Sequence, residues 1–243
     1  MNKEKILGFN VCTNSSETIL KNIFKDYMNK NKVVIASLNP EIIIKNYKDK
    51  EFIKKINSQK YQIPDGIGIV YASKKQNGKV KKRIAGIDLM QSICAKSVSY
   101  NAKIFLYGAK AGVAEKAKQE LENTYNNIKI VGTCNGYIEE EKAVEIINKT
   151  DAEILFVGLG SPKQEQFIEK YKNSLKNIVI FMPIGGSLDV ISKTIKRAPN
   201  WMIKRNLEWF YRVLKQPKRI FRHLKLIEFL ILVSINKWRN KGE

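Results

Sequence analysis

Ligands for a metal ion are scarce in this sequence. It contains a single histidine, His223, so a histidine-based metal site is nearly excluded. No two aspartates are separated by one residue, and an Asp-x-Asp pair for a divalent cation is therefore missing. The three cysteines form no Cys-x-x-Cys pair and are expected to be buried in a reducing compartment. We expect neither a metal nor another cofactor.

Long apolar runs and the common nucleotide motifs are also missing. The strongly apolar run LIEFLILVSI, at 226–235, has ten residues and includes Glu228, whereas a helix that spans a bilayer needs about 20. The N-terminal MNKEKILGFNVC has no long apolar core and no cleavage pattern, so no signal peptide is expected. The absence of the Gly-x-Gly-x-x-Gly fingerprint argues against a nicotinamide oxidoreductase, and the Walker lysine motif of P-loop proteins is absent as well.

Acidic residues are few compared with basic ones. The chain carries 44 lysines and arginines against 23 acidic residues, a formal net charge of +21. Residues 193–243 alone contain 14 basic and three acidic residues. This charge predicts an anionic partner, which is a nucleic acid, an anionic lipid surface or a phosphorylated substrate.

Short β-branched runs alternate with helix-like segments along most of the chain. This alternation predicts an α/β, Rossmann-like catalytic domain at residues 1–194, with a mostly parallel sheet and flanking helices. A small hairpin is expected at the QNGK turn, residues 76–79. The strand-like runs are KILGFNV around residues 4–11, KVVIASL at 32–38, AKIFLYG at 102–108, IKIVGT at 128–133, EILFVGL at 153–159 and NIVIFMP at 177–183.

Glycine, asparagine and small polar residues follow five of these runs. In open parallel sheets, ligands bind outside the carboxyl ends of the strands, where backbone N–H groups and helix N-termini can approach phosphate. Each loop alone is also compatible with an ordinary turn, but together they favour a nucleotide-like ligand. The loops are LNPE, GAKAG, CNGY, GLGSPKQE and IGGSLD.

The last part of the chain, residues 195–243, is predicted to be a basic helical appendage. RAPNW at 197–201 interrupts the chain with a proline, and two helical stretches at about 201–215 and 217–240 are separated by Pro217. Arginines, tryptophans and an apolar face coincide here, which favours docking at an anionic membrane surface. The alternative is packing on the core or on another copy of the chain, which would give a homo-oligomer.

A lone carboxylate, Asp65, lies in the apolar stretch YQIPDGIGIV between Pro64 and Gly66. Such a carboxylate at the mouth of a sheet is a candidate general base. The alternative is that Asp65 caps a helix that starts near Gly66.

Six sequence blocks, in order from about Asn39 to Arg222, resemble the WecG/TagA/CpsF family of bacterial glycosyltransferases. The patterns Asp-Gly-x-Gly, Arg-x-x-Gly-x-Asp-Leu, Gly-x-Gly-x-Pro-Lys-Gln-Glu and Lys-Arg-Ala-Pro are specific in combination. The blocks are IPDGIGIVYASK, RIAGIDLM, FLYGAKAGVAEKA, VGTCNGYI, FVGLGSPKQEQFI and IGGSLDVISKTIKRAPNW.

The resemblance implies catalytic roles for four residues. Asp65 would be the base, Asn39 matches the asparagine of an Asn-Pro-Glu block, and Arg83 matches the arginine of Arg-x-x-Gly-x-Asp. Ser37 stands where the family more often has threonine, so the hydroxyl is kept and the methyl group is lost. The implied substrate-binding residues are Asp88, Gly108, Tyr137, Gly160, Gln164, Glu165, Gly185, Asp189, Arg212, Arg219 and Arg222.

Some of these residues also have simpler structural explanations. Asp88 would cap a helix, Glu165 would be a favourable charge in a first helical turn, and Tyr137 would pack rather than stack on a base. Four lysines around the expected hairpin would form a solvated face or bind lipid phosphate. They are Lys74, Lys75, Lys81 and Lys82.

The resemblance implies an inverting, metal-independent glycosyltransferase that is cytoplasmic and peripheral on the inner face of the cell membrane. The most similar branch moves N-acetylmannosamine from UDP-ManNAc to undecaprenyl-diphosphate-GlcNAc, in synthesis of the wall teichoic acid linkage unit. Arginines would stabilise the departing diphosphate.

Two alternatives stay open. One is another UDP-sugar donor, ManNAc uronic acid or a hexose, for a capsule or surface polysaccharide. The other is a non-enzymatic, basic nucleic-acid-binding protein. No nucleic-acid partner is expected, because the aromatic and basic residues of the tail lie beside an apolar run.

Overall fold

The computed structural model of the protein describes residues 1–215 and 220–239. Within them the strands are β1 (Lys3–Ile6), β2 (Phe9–Cys12), β3 (Val33–Leu38), β4 (Tyr61–Pro64), β5 (Lys103–Gly108), β6 (Lys129–Cys134), β7 (Ile154–Gly158) and β8 (Ile180–Pro183). The helices are α1 (Ser16–Met28), α2 (Pro40–Asn46), α3 (Lys50–Ser58), α4 (Ile67–Lys75), α5 (Gly86–Ser99), α6 (Val113–Thr124), α7 (Glu140–Asn148), α8 (Lys163–Tyr171), α9 (Ser187–Ile191), α10 (Asn200–Lys204), α11 (Glu208–Lys215) and α12 (Ile220–Arg239).

The larger sheet has six strands in the order β4-β3-β8-β7-β5-β6. The pairs β3–β8, β8–β7, β7–β5 and β5–β6 are parallel. Ile104, Ile154 and Ile180 are aligned across three neighbouring strands. Parallel strands need crossover connections, which helices supply, so the predicted α/β, Rossmann-like arrangement is confirmed.

The N-terminal run was expected to form one strand of this sheet, and that expectation is wrong. Residues 3–12 instead form a separate antiparallel hairpin, with Ile6 opposite Phe9. The chain reverses at Leu7 and Gly8, whose φ angles are 47° and 87°, and glycine adopts such values without a steric penalty. Strand β4, which was not predicted, supplies the edge of the sheet beside β3.

The hairpin predicted at residues 76–79 is also wrong. The preceding segment is the helix α4, which ends with Gln76 at its C-cap. Asn77 has a φ of 59°, and the N–H of Gly78 donates to the carbonyl of Ser73 at 2.7 Å. The asparagine and glycine therefore terminate a helix, a use that these residues share with hairpin turns.

The chain divides into two compact units, each built from several segments. The first comprises Met1–Ser15, Ala36–Ala85 and Arg197–Glu243, and the second Ser16–Ile35 and Gly86–Lys196. The predicted functional division, a catalytic domain at 1–194 and a docking appendage at 195–243, stays a prediction.

Each unit has its own apolar core. In the first unit, Ile42 and Ile43 of α2 and Ile69 of α4 pack with Phe229 and Val233 of α12. The core of the second unit includes Phe105, Leu155, Phe167 and Phe181. The C-terminal helix is thus part of the first unit's core.

Candidate active site

In the first unit, Asp65 and Ser37 lie together at the carboxyl ends of two strands. Asp65 directly follows β4, and its backbone N–H donates to the carbonyl of Leu38 at the end of β3, at 2.8 Å. The hydroxyl of Ser37 donates to Oδ2 of Asp65 at 3.2 Å. The structure therefore brings together two predicted catalytic residues, 28 positions apart, because their strands are neighbours.

The start of α4 bears on the capping explanation of Asp65. Gly66 occupies the N-cap position, with a φ of 91°, so Asp65 lies one residue before the cap. Its carboxylate contacts Ser37 near the end of the neighbouring strand, and its role as a base stays a proposal.

Asn39 has a structural role that the sequence comparison with the family did not predict. Its side-chain oxygen accepts a hydrogen bond from the N–H of Ile42 at 2.9 Å, which makes it the N-cap of α2. Pro40 follows at the first helical position, where its missing N–H costs nothing. Asn39 therefore fixes the start of the helix next to Ser37, and its catalytic role stays a proposal.

Arg83 belongs to a buried charge cluster in the same unit. Its Nη2 donates to Oε2 of Glu208 at 3.4 Å, and Nε of Arg197 donates to Oε1 of the same carboxylate at 3.4 Å. The sequence reasoning missed Glu208 and gave Arg197 no role. A signal for Glu208 was present, because it is one of only three acidic residues among 14 basic ones in 193–243.

The three tail arginines are not placed in this site by the structure. Arg219 lies outside the described residues. Arg212 belongs to α11 and Arg222 to α12, but their side chains are not described. Their roles stay predictions.

In the second unit, Gln164 connects the loops after β7 and β8. Its Oε1 accepts a hydrogen bond from the N–H of Gly185 at 2.9 Å, and its Nε2 donates to Oε1 of Glu165 at 2.9 Å. Gln164 is buried, so it orders the glycine-rich loop that precedes α9. Glu165 lies in the first turn of α8, and its other carboxylate oxygen is buried and has no hydrogen-bond partner among the described residues. That oxygen can accept a bond from a ligand N–H or O–H.

The two predicted glycines at the ends of β5 and β7 have different structural reasons. A Cβ on Gly108 would lie 2.4 Å from the carbonyl oxygen of Gly158, so only glycine allows these two strand ends to approach. Gly160 has a φ of 78°, and a Cβ there would meet no atom of the described residues within 4 Å beyond its chain neighbours. The backbone around Gly160 is therefore open to a ligand.

Three further predicted residues lie on the second unit at loop or helix starts. Tyr137 is 77% exposed, and its N–H donates to Oδ1 of Asn135 at 3.0 Å, so its ring is available for stacking rather than packed. Asp88 is exposed in the first turn of α5 rather than at the N-cap. Asp189 is in the first turn of α9.

Other titratable side chains of the second unit lie in its apolar core. Burial raises the pKa of Cys134 to about 11 and that of Tyr107 to about 12, so both groups are neutral near pH 7.

Within residues 1–215 and 220–239, no three His, Cys, Asp or Glu side chains converge as ligands for a metal ion. Over the same ranges, no helix combines the length and apolarity needed to cross a bilayer.

Comparison with known proteins found a family profile and several relatives that match most of this chain. The profile described as "Glycosyl transferase WecG/TagA/CpsF family" matches residues 4–243. A Bacillus subtilis (strain 168) protein named N-acetylglucosaminyldiphosphoundecaprenol N-acetyl-beta-D-mannosaminyltransferase is 36% identical over 225 residues, which cover 90% of this chain and 87% of the relative. A protein of the same name from Staphylococcus aureus (strain MW2) is 35% identical over 244 residues, covering 98% and 95%.

Proposed function

This chain belongs to the glycosyl transferase WecG/TagA/CpsF family, and from that premise we propose that it transfers N-acetylmannosamine from UDP-ManNAc to undecaprenyl-diphosphate-GlcNAc. The names of the two relatives support the sugar and the acceptor. The loops after β5, β7 and β8 support a nucleotide-linked donor, because parallel sheets bind such ligands at their carboxyl ends. The product would be the linkage unit of wall teichoic acid.

The observation that carries the mechanism is the position of Asp65 against Ser37. Asp65 takes the proton of the acceptor hydroxyl, and Ser37, which donates to Oδ2 at 3.2 Å, holds the carboxylate in place. The acceptor oxygen attacks the anomeric carbon while the bond from that carbon to the UDP oxygen breaks. UDP departs with the bonding electrons, and a single displacement of this kind inverts the anomeric configuration.

Side-chain cations stabilise the departing diphosphate in this proposal. Arginine suits that task because its guanidinium binds phosphate through two N–H groups at once. Arg83 is the candidate that the described residues support, since its side chain is 17% exposed and held by Glu208. Arg212, Arg219 and Arg222 are the further candidates, and no metal ion is required.

The lipid-linked acceptor places the reaction at a membrane, and the first unit carries apolar surface that suits one. On α12, three isoleucines spaced four residues apart are each more than half exposed, which gives one apolar stripe along the helix. Other exposed apolar side chains of this unit are Trp201, Trp209, Phe210 and Leu214. We propose that these surfaces and the basic tail dock on the anionic inner face of the cell membrane.

The test is release of UDP from UDP-ManNAc in the presence of a lipid-diphosphate-GlcNAc analogue and EDTA. Asp65→Asn should lower kcat by about 10²–10⁴-fold with the fold intact. The matched control is Asp49→Asn, because Asp49 caps α3 through its side chain and asparagine caps equally well. Unchanged turnover of Asp65→Asn would overturn the base role, and turnover only with another UDP-sugar would change the donor.

A further inference from the structure

The carboxylate that contacts Arg83 takes no direct part in the chemistry proposed above. Glu208, the first residue of α11, is only 4% exposed. A buried carboxylate is unfavourable unless positive partners compensate for its lost hydration. Here its two oxygens each accept a hydrogen bond from a different arginine, Arg83 and Arg197, both at 3.4 Å.

One of the two arginines comes from a distant part of the chain. Arg83 precedes α5 and is 125 residues from Glu208, the first residue of α11. Arg197 lies in the loop before α10, 11 residues from Glu208. An arginine side chain has many rotamers and loses considerable entropy when ordered. The contact with Glu208 favours one rotamer of the Arg83 side chain. The contact forms only when α11, which carries Glu208, is in the position that the structure shows.

The geometry leaves Arg83 able to bind a second anion. The contact with Glu208 uses Nη2, whereas a guanidinium carries five N–H donors. At 3.4 Å the contact is also longer than the 2.7–2.9 Å typical of a tight charge-assisted bond. Together, Arg83, Arg197 and Glu208 carry one net positive charge, so the cluster can still attract a diphosphate.

We propose that Glu208 is a positioning residue, which holds the Arg83 guanidinium in the orientation that the reaction needs. Because Glu208 is the first residue of α11, the position of α11 becomes a condition for a competent site. The proposal rests on the proposed role of Arg83 in turnover.

A double-mutant cycle on the full-length chain tests this proposal. The variants are Glu208→Gln, Arg83→Gln and the double variant, and kcat and KM are measured by UDP release. Glu208→Gln keeps the side-chain shape but removes the charge, so kcat should fall about 10- to 100-fold, as expected for a misplaced catalytic group, with little change in the KM for the donor. In the Arg83→Gln background the same change should have almost no further effect on kcat.

Three outcomes would overturn the proposal. Two of them concern only the positioning role of Glu208, and the third also contradicts the proposed role of Arg83. Wild-type turnover of Glu208→Gln, or an equal loss in the presence and absence of Arg83, would show that Glu208 does not act through Arg83. Wild-type turnover of Arg83→Gln would contradict the proposed function of Arg83 itself, and with it the inference.

Folding is controlled separately. Glu228→Gln, at an exposed carboxylate on α12 of the same unit, should leave kcat and the unfolding midpoint unchanged. If urea unfolding followed by tryptophan emission shows that Glu208→Gln is unfolded, Glu208→Asp replaces it in the cycle. Aspartate keeps the charge, but its shorter side chain withdraws the carboxylate from Arg83, so kcat should fall below the wild-type value, and this fall should disappear in the Arg83→Gln background.

Discussion

Replacing Phe229 with alanine should destabilise the first unit strongly. Phe229 of α12 is fully buried, in a core that it shares with isoleucines of α2 and α4. Removing a buried phenylalanine side chain loses its transfer free energy and leaves a cavity, which together cost about 3–5 kcal/mol. With a urea m-value of about 2 kcal/mol/M, the unfolding midpoint should fall by about 2 M.

A matched control lies two residues away on the same helix. Ile231 is 54% exposed, so Ile231→Ala should change the free energy of unfolding by less than about 0.5 kcal/mol. Urea unfolding of the full chain can be followed by tryptophan emission, because Trp201, Trp209 and Trp238 all belong to the first unit. Equal urea midpoints for the two variants would refute the packing of α12 in this core.

The anchoring of α12 also affects how the tail arginines are tested. A chain cut after residue 193 would lack α12 and expose the core of the first unit. Loss of turnover on truncation would then report lost folding as well as lost arginines. Single substitutions of Arg212, Arg219 and Arg222 by glutamine separate the two effects.

Two further predictions concern the outer face of α12 and the buried thiols. Replacing the three exposed isoleucines of α12, Ile227, Ile231 and Ile235, with serine should reduce flotation of the protein with anionic vesicles and leave the urea midpoint unchanged. Undiminished flotation would contradict docking through this face. Conversion of an oligomer to a monomer would show that the face joins copies of the chain. Burial raises the pKa of all three thiols, to about 12 for Cys94 and about 11 for Cys134, so at pH 8 the thiolate fraction of the latter two is about one in a thousand or less. Disulfide reagents should therefore label the native chain slowly and the urea-unfolded chain fast, and a rapidly labelled native thiol would contradict this.

Much of the sheet could be predicted from local sequence. Five apolar, β-branched runs became β3, β5, β6, β7 and β8, because strands buried on both faces need such runs. Local sequence failed where one pattern serves two structures. KILGFNV contains a reversal at Leu7 and Gly8 that splits it into a hairpin, and the asparagine and glycine of QNGK ended a helix instead of joining two strands. The four-residue β4 was too short to produce a pattern of its own.

The family and several site residues also followed from the sequence, because motif blocks record chemistry in local order. Asp65 could be singled out from its apolar surroundings and its block. Ser37 was predicted from its block as well, but its contact with Asp65 could not be, because the two residues are 28 positions apart and meet only through the neighbouring strands β3 and β4. In the same way, the sequence predicted Gln164 as a ligand contact, while the fold shows it holding Gly185.

The sequence by itself therefore determined the α/β class, the basic tail and the family, since periodicity, net charge and motif spacing are local or additive properties. Only the tertiary structure decided that α12 belongs to a core and that Glu208 is buried between Arg83 and Arg197. Whether a carboxylate is hydrated or buried depends on what the fold places around it. Residues far apart in sequence supply those surroundings, and no local pattern of amino acids specifies them.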